Sequence, residues 1–514
     1  MLRSQRLDEA TDLLALARER LRRSELPLED ADSFARVVIQ AHLELAGLDD
    51  SAIQAANLSL LWEGGLGSPA FQLLLDYLEF CALSDAVFER LLTRLRERLL
   101  REATAQKPPG DDEAIIEFAS ALAIQAFRSE YVLAEAADEA DMVARQQSEI
   151  SAMLAGGAAP PHFNVAVLAA YRPLMGLADA ARIRASVNPA AGSRLDGLIR
   201  VQIDEPQREL ALRPHIRALT QIADDTSRAV RDQYEQNPYP RWHRLPGGAP
   251  SGKSANTGAE AGKPSPPDRR PSILIAGCGT GQHPIQAARK KPDVQFLAVD
   301  LSRSSIAYAL RKAEEYGVCN VEFAQADLLG LPECGLRFEE ISCVGVLHHL
   351  RRPVEGLRAL RQLMAREHGL KVAVYTESGR QAVVAAIRLR EERGIPATVE
   401  GIRALRSVIE TLPASHPARP LLKFGDYYSA SGFRDLAFHV MEHRYTIPAF
   451  AALASDAGLH VEKVVAPELV LRRFRARFKG ADAVSDAAKW GVFEAENPGV
   501  FGSMYRFLLA RKSP

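Results

Sequence analysis

The sequence predicts an α/β fold in its second half, a doubly wound and mainly parallel sheet, preceded by an all-α region. Three observations carry this expectation. After about residue 271, short apolar runs alternate with amphipathic stretches, the texture of strands that crossover helices bury on both faces. One of those runs ends directly in the string Gly277-Cys278-Gly279-Thr280-Gly281. Before about residue 230, Ala- and Leu-rich stretches place apolar residues at helical spacing, with little strand-like alternation.

A chain of 514 residues suggests two to four domains, and 47% hydrophobic with 25% charged residues is ample for ordinary cores. Lys and Arg total 64 against 65 Asp and Glu, so nothing in the overall charge favours nucleic acid or an anionic membrane as partner. The five cysteines are scattered, with no C-x-x-C pair, which excludes a disulfide framework and a thiolate zinc site by spacing. Together with a charged, amphipathic start and no run of about 18 apolar residues, this reads as a cytoplasmic protein that does not enter the membrane.

Residues 1–230 read as a helical N-terminal domain. Leu13, Leu14, Ala17 and Leu21 set the helical spacing, and LLLDYLEFCALSDAVFERLLTRLRERLL repeats it. Pro-Pro pairs at 108–109 and 160–161 mark breaks. No fixed internal period emerges, so a degenerate solenoid and a bundle both remain open. Residues 231–270 read as an aromatic strap, RDQYEQNPYPRW, followed from about 246 by a Gly-, Ser- and Pro-rich flexible linker. Residues 271–514 form the α/β domain. SILIAGC, VQFLAVD, VEFAQAD, EEISCVGV and LKVAVYT are its buried strands, and a helical insertion spans about 381–445.

The chemistry gathers at the C-terminal ends of those strands. Glycine lets the backbone turn sharply and lets a ligand approach with no Cβ in the way. The second strand ends in Asp300, close to the separation of about 20 residues that places a carboxylate against a ribose in nucleotide-binding folds. The third ends in Asp327, and the fourth runs into Leu347-His348-His349-Leu350. In an open α/β sheet such ends face one crevice.

These strings resemble the successive motifs of class I S-adenosylmethionine (SAM)-dependent methyltransferases: GCGTG, VDLS, the AD of FAQADL, then VLHHL, in matching order from about 272 to 380. LHVEKVVAPE and SMYRFLLARK resemble the family's closing antiparallel strands. The resemblance implies a Rossmann-like fold with SAM as cofactor. Gly277, Cys278, Gly279 and Gly281 would face its methionine and ribose parts. Asp300 with Leu301 would hold the ribose, Asp327 with Leu328 the adenine, and Val344 and Gly345 would pass the methionine end. One departure stands out: the family usually carries an acid two residues before the first glycine, where this chain has Ile275. NAD is the competing ligand, but G-x-G-x-x-G would require glycine at Gln282. NPYPRW, GVLHHLRRP, VYTESGR and DYYSASGFRDLAFHVMEHRYTIP further resemble bacterial methyltransferases with a helical or tetratricopeptide-like N-terminal half; that resemblance names no substrate, and the tetratricopeptide signature is absent here.

Candidate catalytic residues are His348, Tyr375 and Glu377 at strand ends, with His439 and His443 in the insertion. Each has a structural alternative, as a helix cap, a solvated helix start or a hydrogen-bonded core group. His439, Glu442 and His443 fit H-x-x-E-H, which resembles the zinc site of inverzincin proteases. With no third ligand recognisable, they read as pocket lining and no metal is expected. Tyr234, Tyr239 and Trp242 read as a lid over the site or as a strap docking the helices. Tyr428, beside Asp426 and Tyr427, reads as substrate lining or core. The run RRFRARFK at 472–479 reads as a solvated helix face.

Methyl transfer needs mainly alignment and exclusion of water, so no fixed triad is expected. Three readings follow: an enzyme acting on a small molecule, an enzyme acting on a protein or peptide docked on the helical half, and a non-catalytic SAM-binding scaffold. A homodimer is compatible with all three.

Overall fold

The computed structural model describes residues 69–105, 112–245 and 271–512, together with Ala15, Arg18 and Glu19. The expected helix around Leu13, Leu14, Ala17 and Leu21 and the expected linker at 246–270 lie outside the described residues.

The first half is helical: α1 (Pro69–Phe80), α2 (Ala86–Ala103), α3 (Glu113–Arg128), α4 (Ala137–Ala155), α5 (His162–Ala169), α6 (Ala180–Ser186), α7 (Arg194–Ile199), α8 (Glu205–Leu212) and α9 (Asp225–Gln236). Local chemistry starts several of them. Asp85 accepts from the amides of Val87 and Phe88, and Asp224 from that of Ser227, each satisfying amides that a helix start leaves without an intrahelical partner.

The sheet follows: β1 (Ile273–Ala276), α10 (Gln282–Lys290), β2 (Phe296–Asp300), α11 (Arg303–Glu315), β3 (Val321–Gln325), β4 (Glu340–Val344), α12 (Pro353–Leu363) and β5 (Leu370–Tyr375). Then come the insertion helices α13 (Gln381–Glu392), α14 (Val399–Thr411) and α15 (Ala430–Ala437). The chain closes with α16 (Ile447–Asp456), β6 (Leu459–Val465), α17 (Glu468–Arg477), α18 (Ala487–Glu496) and β7 (Met504–Arg511). The seven strands lie in the order β3-β2-β1-β4-β5-β7-β6, with the first five parallel and β7 antiparallel to both of its neighbours. This is the Rossmann-like arrangement expected of the second half. Strand order reverses at β1, so the crevice where open α/β sheets bind ligands lies above the ends of β1 and β4.

Two boundaries differ from the sequence expectation. The break at 230 falls inside α9, which continues through Tyr234 to Gln236; the strap begins only at Asn237. The chain also joins the sheet domain earlier, from about Glu205. Arg208 pairs with Glu314 and Arg311 with Glu209, and residues 217–219 pair with Gln325 beside β3. Periodicity indicates helices in this region but carries no information about which core receives their apolar faces.

The insertion is not an isolated appendage. Its buried residues Ile402, Leu405, Tyr427 and Phe433 share one hydrophobic core with Leu92, Phe118 and Tyr171 of the N-terminal helices. A buried ion pair crosses that core: Arg406 of α14 donates to both oxygens of Glu89 of α2, at 2.7 and 2.6 Å, and to the Val132 carbonyl at 3.1 Å. RRFRARFK splits as α17 builds it. Phe474 stacks on Trp490 at 3.6 Å in the core, while Arg472 and Arg477 pair with Glu468 and Glu496 outside. Among the described residues no helix is long and apolar enough to cross a membrane.

Removing one member of a buried ion pair strands the other charge. Arg406→Met should therefore cost about 3–5 kcal/mol of stability in urea unfolding, and adding Glu89→Leu should restore much of it. A loss below about 1 kcal/mol would show that the pair does not tie the two regions together.

Candidate active site

β1 stops at Ala276 because the next residue adopts a left-handed turn. Gly277, Gly279 and Gly281 have φ of 75°, 50° and 85°, a region that L side chains rarely enter. Space makes the same demand. A Cβ on Gly277 would lie 2.0 Å from Val346 Cγ2, and one on Gly279 would lie 2.7 Å from the Tyr239 carbonyl oxygen. Gly281 differs in kind: its Cβ would strike Ala309 of α11 at 2.5 Å, and it does not line the cavity. There it lets α10 and α11 approach closely.

Asp300 closes the turn from the neighbouring strand. One carboxylate oxygen accepts from the Gly279 amide at 2.8 Å and the other from the Ser302 amide at 3.0 Å. Burial pushes its pKa up, and those two amides work in the opposite direction. Asp327, at the end of β3, accepts from the Leu329 amide at 3.0 Å, and its own amide donates to the Thr220 hydroxyl at 2.7 Å.

Above these ends lies a cavity of about 920 Å³. Gly277, Cys278, Gly279, Asp300 and Leu301 form its wall on one side, with Asp327 and Leu328 next to them. Val344, Gly345, His349 and Tyr375 continue it beyond β1, and Tyr234, Tyr239 and Asp435 cover it. Ile275 also reaches the wall, as an apolar patch where an acid was expected.

Several expected residues are placed elsewhere. Trp242 is buried behind the glycine turn, where its indole donates to the Thr280 carbonyl at 3.0 Å among Tyr308 and Tyr316. Tyr428 is buried in the helical core and donates to the Leu422 carbonyl at 2.7 Å. Glu442 is held by the buried Arg380 guanidinium, and Glu377 is exposed and away from the cavity. His443 donates from Nε2 to the Leu350 carbonyl at 3.0 Å, and its amide donates to the His348 carbonyl. These residues serve packing and pairing because the tertiary contacts, not the spacing, decide where each side chain ends.

The H-x-x-E-H string is not helical: α15 ends at Ala437, so His439 and His443 never share a helix face. His439 instead stacks on His349, ring centroids 3.6 Å apart and planes 22° apart. The backbone of Met441 sets both tautomers. Its carbonyl accepts from His349 Nδ1 at 2.7 Å, leaving a lone pair on His349 Nε2. Its amide donates to His439 Nδ1 at 3.1 Å, so the His439 proton sits on Nε2, which has no hydrogen-bond partner among the described residues. His349, Asp435 and His439 bring ligand-type atoms within 4.8 Å of one another. Two face-stacked rings with only one Nε2 lone pair between them are nonetheless poorly arranged for a common ion. His348 is fully buried beside them, stacked on Tyr375 at 3.8 Å, with neither ring nitrogen hydrogen-bonded.

Asp435 is the functional candidate that sequence reasoning missed. It is buried, accepts from Tyr234 at 2.7 Å and Tyr375 at 3.2 Å, and faces the cavity. It stands four residues before His439, but the helix ends between them at Ala437, so that spacing by itself did not mark it.

Burial pushes the imidazole of His349 down to about 3 and that of His439 to about 4, so both rings are neutral near pH 7. A histidine whose folded pKa lies below its unfolded value of about 6.5 contributes stability that is fully present above that pH. That stability is lost as pH falls below it, because the unfolded chain then takes up the proton. Stability should therefore fall as pH drops from about 6.5 towards 4, and His349→Phe should flatten the slope by up to about 1.4 kcal/mol per pH unit. Urea midpoints across that range, identical for the variant and the parent, would contradict the assignment.

Part of the second half of the chain is similar to known proteins. A family model described as a methyltransferase domain matches residues 273–367. An uncharacterized protein of Synechococcus sp. is 32% identical over 218 residues, 38% of this chain and 49% of its own length. The tRNA (guanine-N(7)-)-methyltransferase of Rubrobacter xylanophilus is 43% identical over 60 residues, 12% of this chain and 27% of that protein. Among solved structures, PKMT2 from Rickettsia typhi in complex with AdoHcy is 19% identical, covering 47% of this chain and 49% of that one, with a TM-score of 0.37. The chain thus spans about half the length of the first of these relatives. The matched segment contains β1 through the helix after β4, with the glycine turn and both strand-end aspartates; residues 273–367 thus match a methyltransferase domain and lie on the Rossmann-like sheet.

Proposed function

We propose that this protein transfers the methyl group of SAM to an acceptor that enters the cavity from the β4–β5 side. The observation that carries this reading is the convergence of the glycine turn, Asp300 and Asp327 on one cavity of about 920 Å³, within the range of small-molecule sites. The residues present fit the cofactor. Gly277 and Gly279 leave no room for a Cβ, so bare backbone lines the wall where the methionine and ribose parts would lie. Each Asp300 oxygen accepts one backbone bond, leaving acceptor capacity for ribose hydroxyls. Asp327 and Leu328 are set to hold the adenine, and Val344 and Gly345 flank the tail.

When bound, SAM supplies a methyl group activated on a sulfonium. The work of the chain is to orient donor and acceptor and to keep water out. Tyr234 and Tyr239 cover the cavity from the strap side, and the insertion closes it through Asp435. Because the insertion and the N-terminal helices share a core, the helical half helps to shape the acceptor entrance. That arrangement serves a small molecule, and equally a protein or peptide docked on the helices. Ile275 favours a second reading: without an acid there, the domain binds the donor as a non-catalytic scaffold.

Isotope-labelled SAM incubated with cell extract should yield a labelled product, whose size separates small molecule from protein. In calorimetry, Asp300→Ala should weaken SAM binding at least about tenfold, since it loses the ribose acceptor and the Gly279 anchor together. SAM binding without any labelled product in any extract would favour the scaffold. Unchanged SAM affinity in Asp300→Ala would remove the proposed ribose contact.

A further inference from the structure

We propose that the β4–β5 end of the cavity is an ammonium site and that the methyl acceptor is a cationic amine. This rests on reading the same cavity as the SAM cleft.

The order of the sheet separates the two ends. Asp327 and Asp300 stand on β3 and β2, on one side of the glycine turn; His349 and Tyr375 follow β4 and β5, on the other. A donor with its nucleoside over β2 and β3 and its tail over β1 leaves the β4–β5 end for the acceptor. The group that dominates that end is Asp435, only 3% exposed. Both of its oxygens accept tyrosine hydroxyls, from Tyr234 and Tyr375. Burial drives both phenols well above their usual pKa, so they stay protonated and keep donating.

Among the described residues Asp435 makes no direct ion pair. The cations around it are otherwise engaged: Arg380 pairs with Glu442 and lies over the Tyr375 ring, and Arg434 donates to Gln236 and Asn237. His349 and His439 are neutral. A second carboxylate, Asp426, stands behind Tyr239, accepting its hydroxyl at 3.0 Å, also without an ion pair among the described residues. Of the cations in the cavity wall, Lys371 stands at the start of β5, the opposite end of that strand from Tyr375, and is paired with Glu340, while Lys463 and Arg506 belong to β6 and β7. A buried carboxylate without a counter-charge is costly to maintain and marks a place for one. An ammonium meets the need: it brings positive charge to Asp435 and can donate to the Nε2 lone pair of His349. A hydroxyl or carboxylate acceptor would leave the charge unmet or add to it. Tyr375 takes part through its hydroxyl alone, because its ring is sandwiched between His348 and Arg380.

The bound ammonium would first give one N–H proton to the Asp435 carboxylate, which frees the nitrogen lone pair; that pair would form the N–CH₃ bond while the electron pair of the broken C–S bond stays on sulfur. His349, whose imidazole burial pushes down to about 3, serves there as a hydrogen-bond acceptor and not as the base.

The test uses the full chain, n-butylammonium chloride as probe and n-butanol as its uncharged counterpart. Thermal shift reads amine binding and calorimetry reads SAM binding. The amine should raise the melting temperature of the parent while the alcohol does not. Asp435→Asn should weaken the amine response about tenfold and leave SAM affinity within about twofold. Tyr375→Phe, which keeps the stacked ring, should weaken the amine response a few-fold, and it serves if Asp435→Asn does not fold. Equal responses to amine and alcohol would overturn the proposal. So would a loss of SAM affinity in Asp435→Asn as large as the loss of amine binding, because the carboxylate would then serve the ammonium of the donor itself. Amine binding in a parent protein that gives no heat with SAM would leave the ammonium site standing and sink the cofactor reading instead.

Discussion

The bond from the Gly279 amide to Asp300 holds the site together. It ties a turn built of left-handed residues on β1 to the end of β2, and so places bare backbone and a carboxylate on one wall. Each glycine in the turn meets a different partner. Gly277 gives way to Val346 after β4, Gly279 to the strap carbonyl of Tyr239, and Gly281 to Ala309 of α11. A side chain at any of them would push apart two elements that must touch, so the turn is the point where strand, strap and helix are brought into register.

A second constraint comes from outside the sheet. Met441, in the non-helical segment after α15, directs one histidine by its carbonyl and the other by its amide. The insertion that carries it is anchored in the N-terminal helices through a common core and the Glu89–Arg406 pair. Helices remote from the sheet thereby hold the rings and carboxylate at the β4–β5 end of the cavity. This gives the helical half a role in the site whatever else it binds, since loosening that core would release Met441 and Asp435 together.

How much of this was legible varies by residue. Gly277, Gly279, Asp300 and Asp327 could be read directly, because a parallel sheet delivers every strand end to the same edge. Gly281 was read as a ligand contact; its close neighbour here is Ala309 of α11, and sequence spacing cannot show which partner a bare glycine will meet. His439, Glu442 and His443 looked like one motif, yet the helix stops at Ala437 and sends them to three separate partners. Trp242 and Tyr428 are large aromatic residues that two cores claimed. Asp435 was passed over because its four-residue spacing from His439 gains meaning only once His349 is known to lie beside them.

The sequence by itself determined the α/β class, the buried strands of the parallel sheet, the glycine turn and the carboxylates that end β2 and β3. Those depend on periodicity, backbone freedom and strand-end position, all properties of neighbours along the chain. Tertiary structure alone decided the pairing of insertion with N-terminal helices, the two histidine tautomers and the burial of Asp435 between two tyrosine hydroxyls. Each of those depends on groups far apart in sequence whose partners only a folded chain can choose.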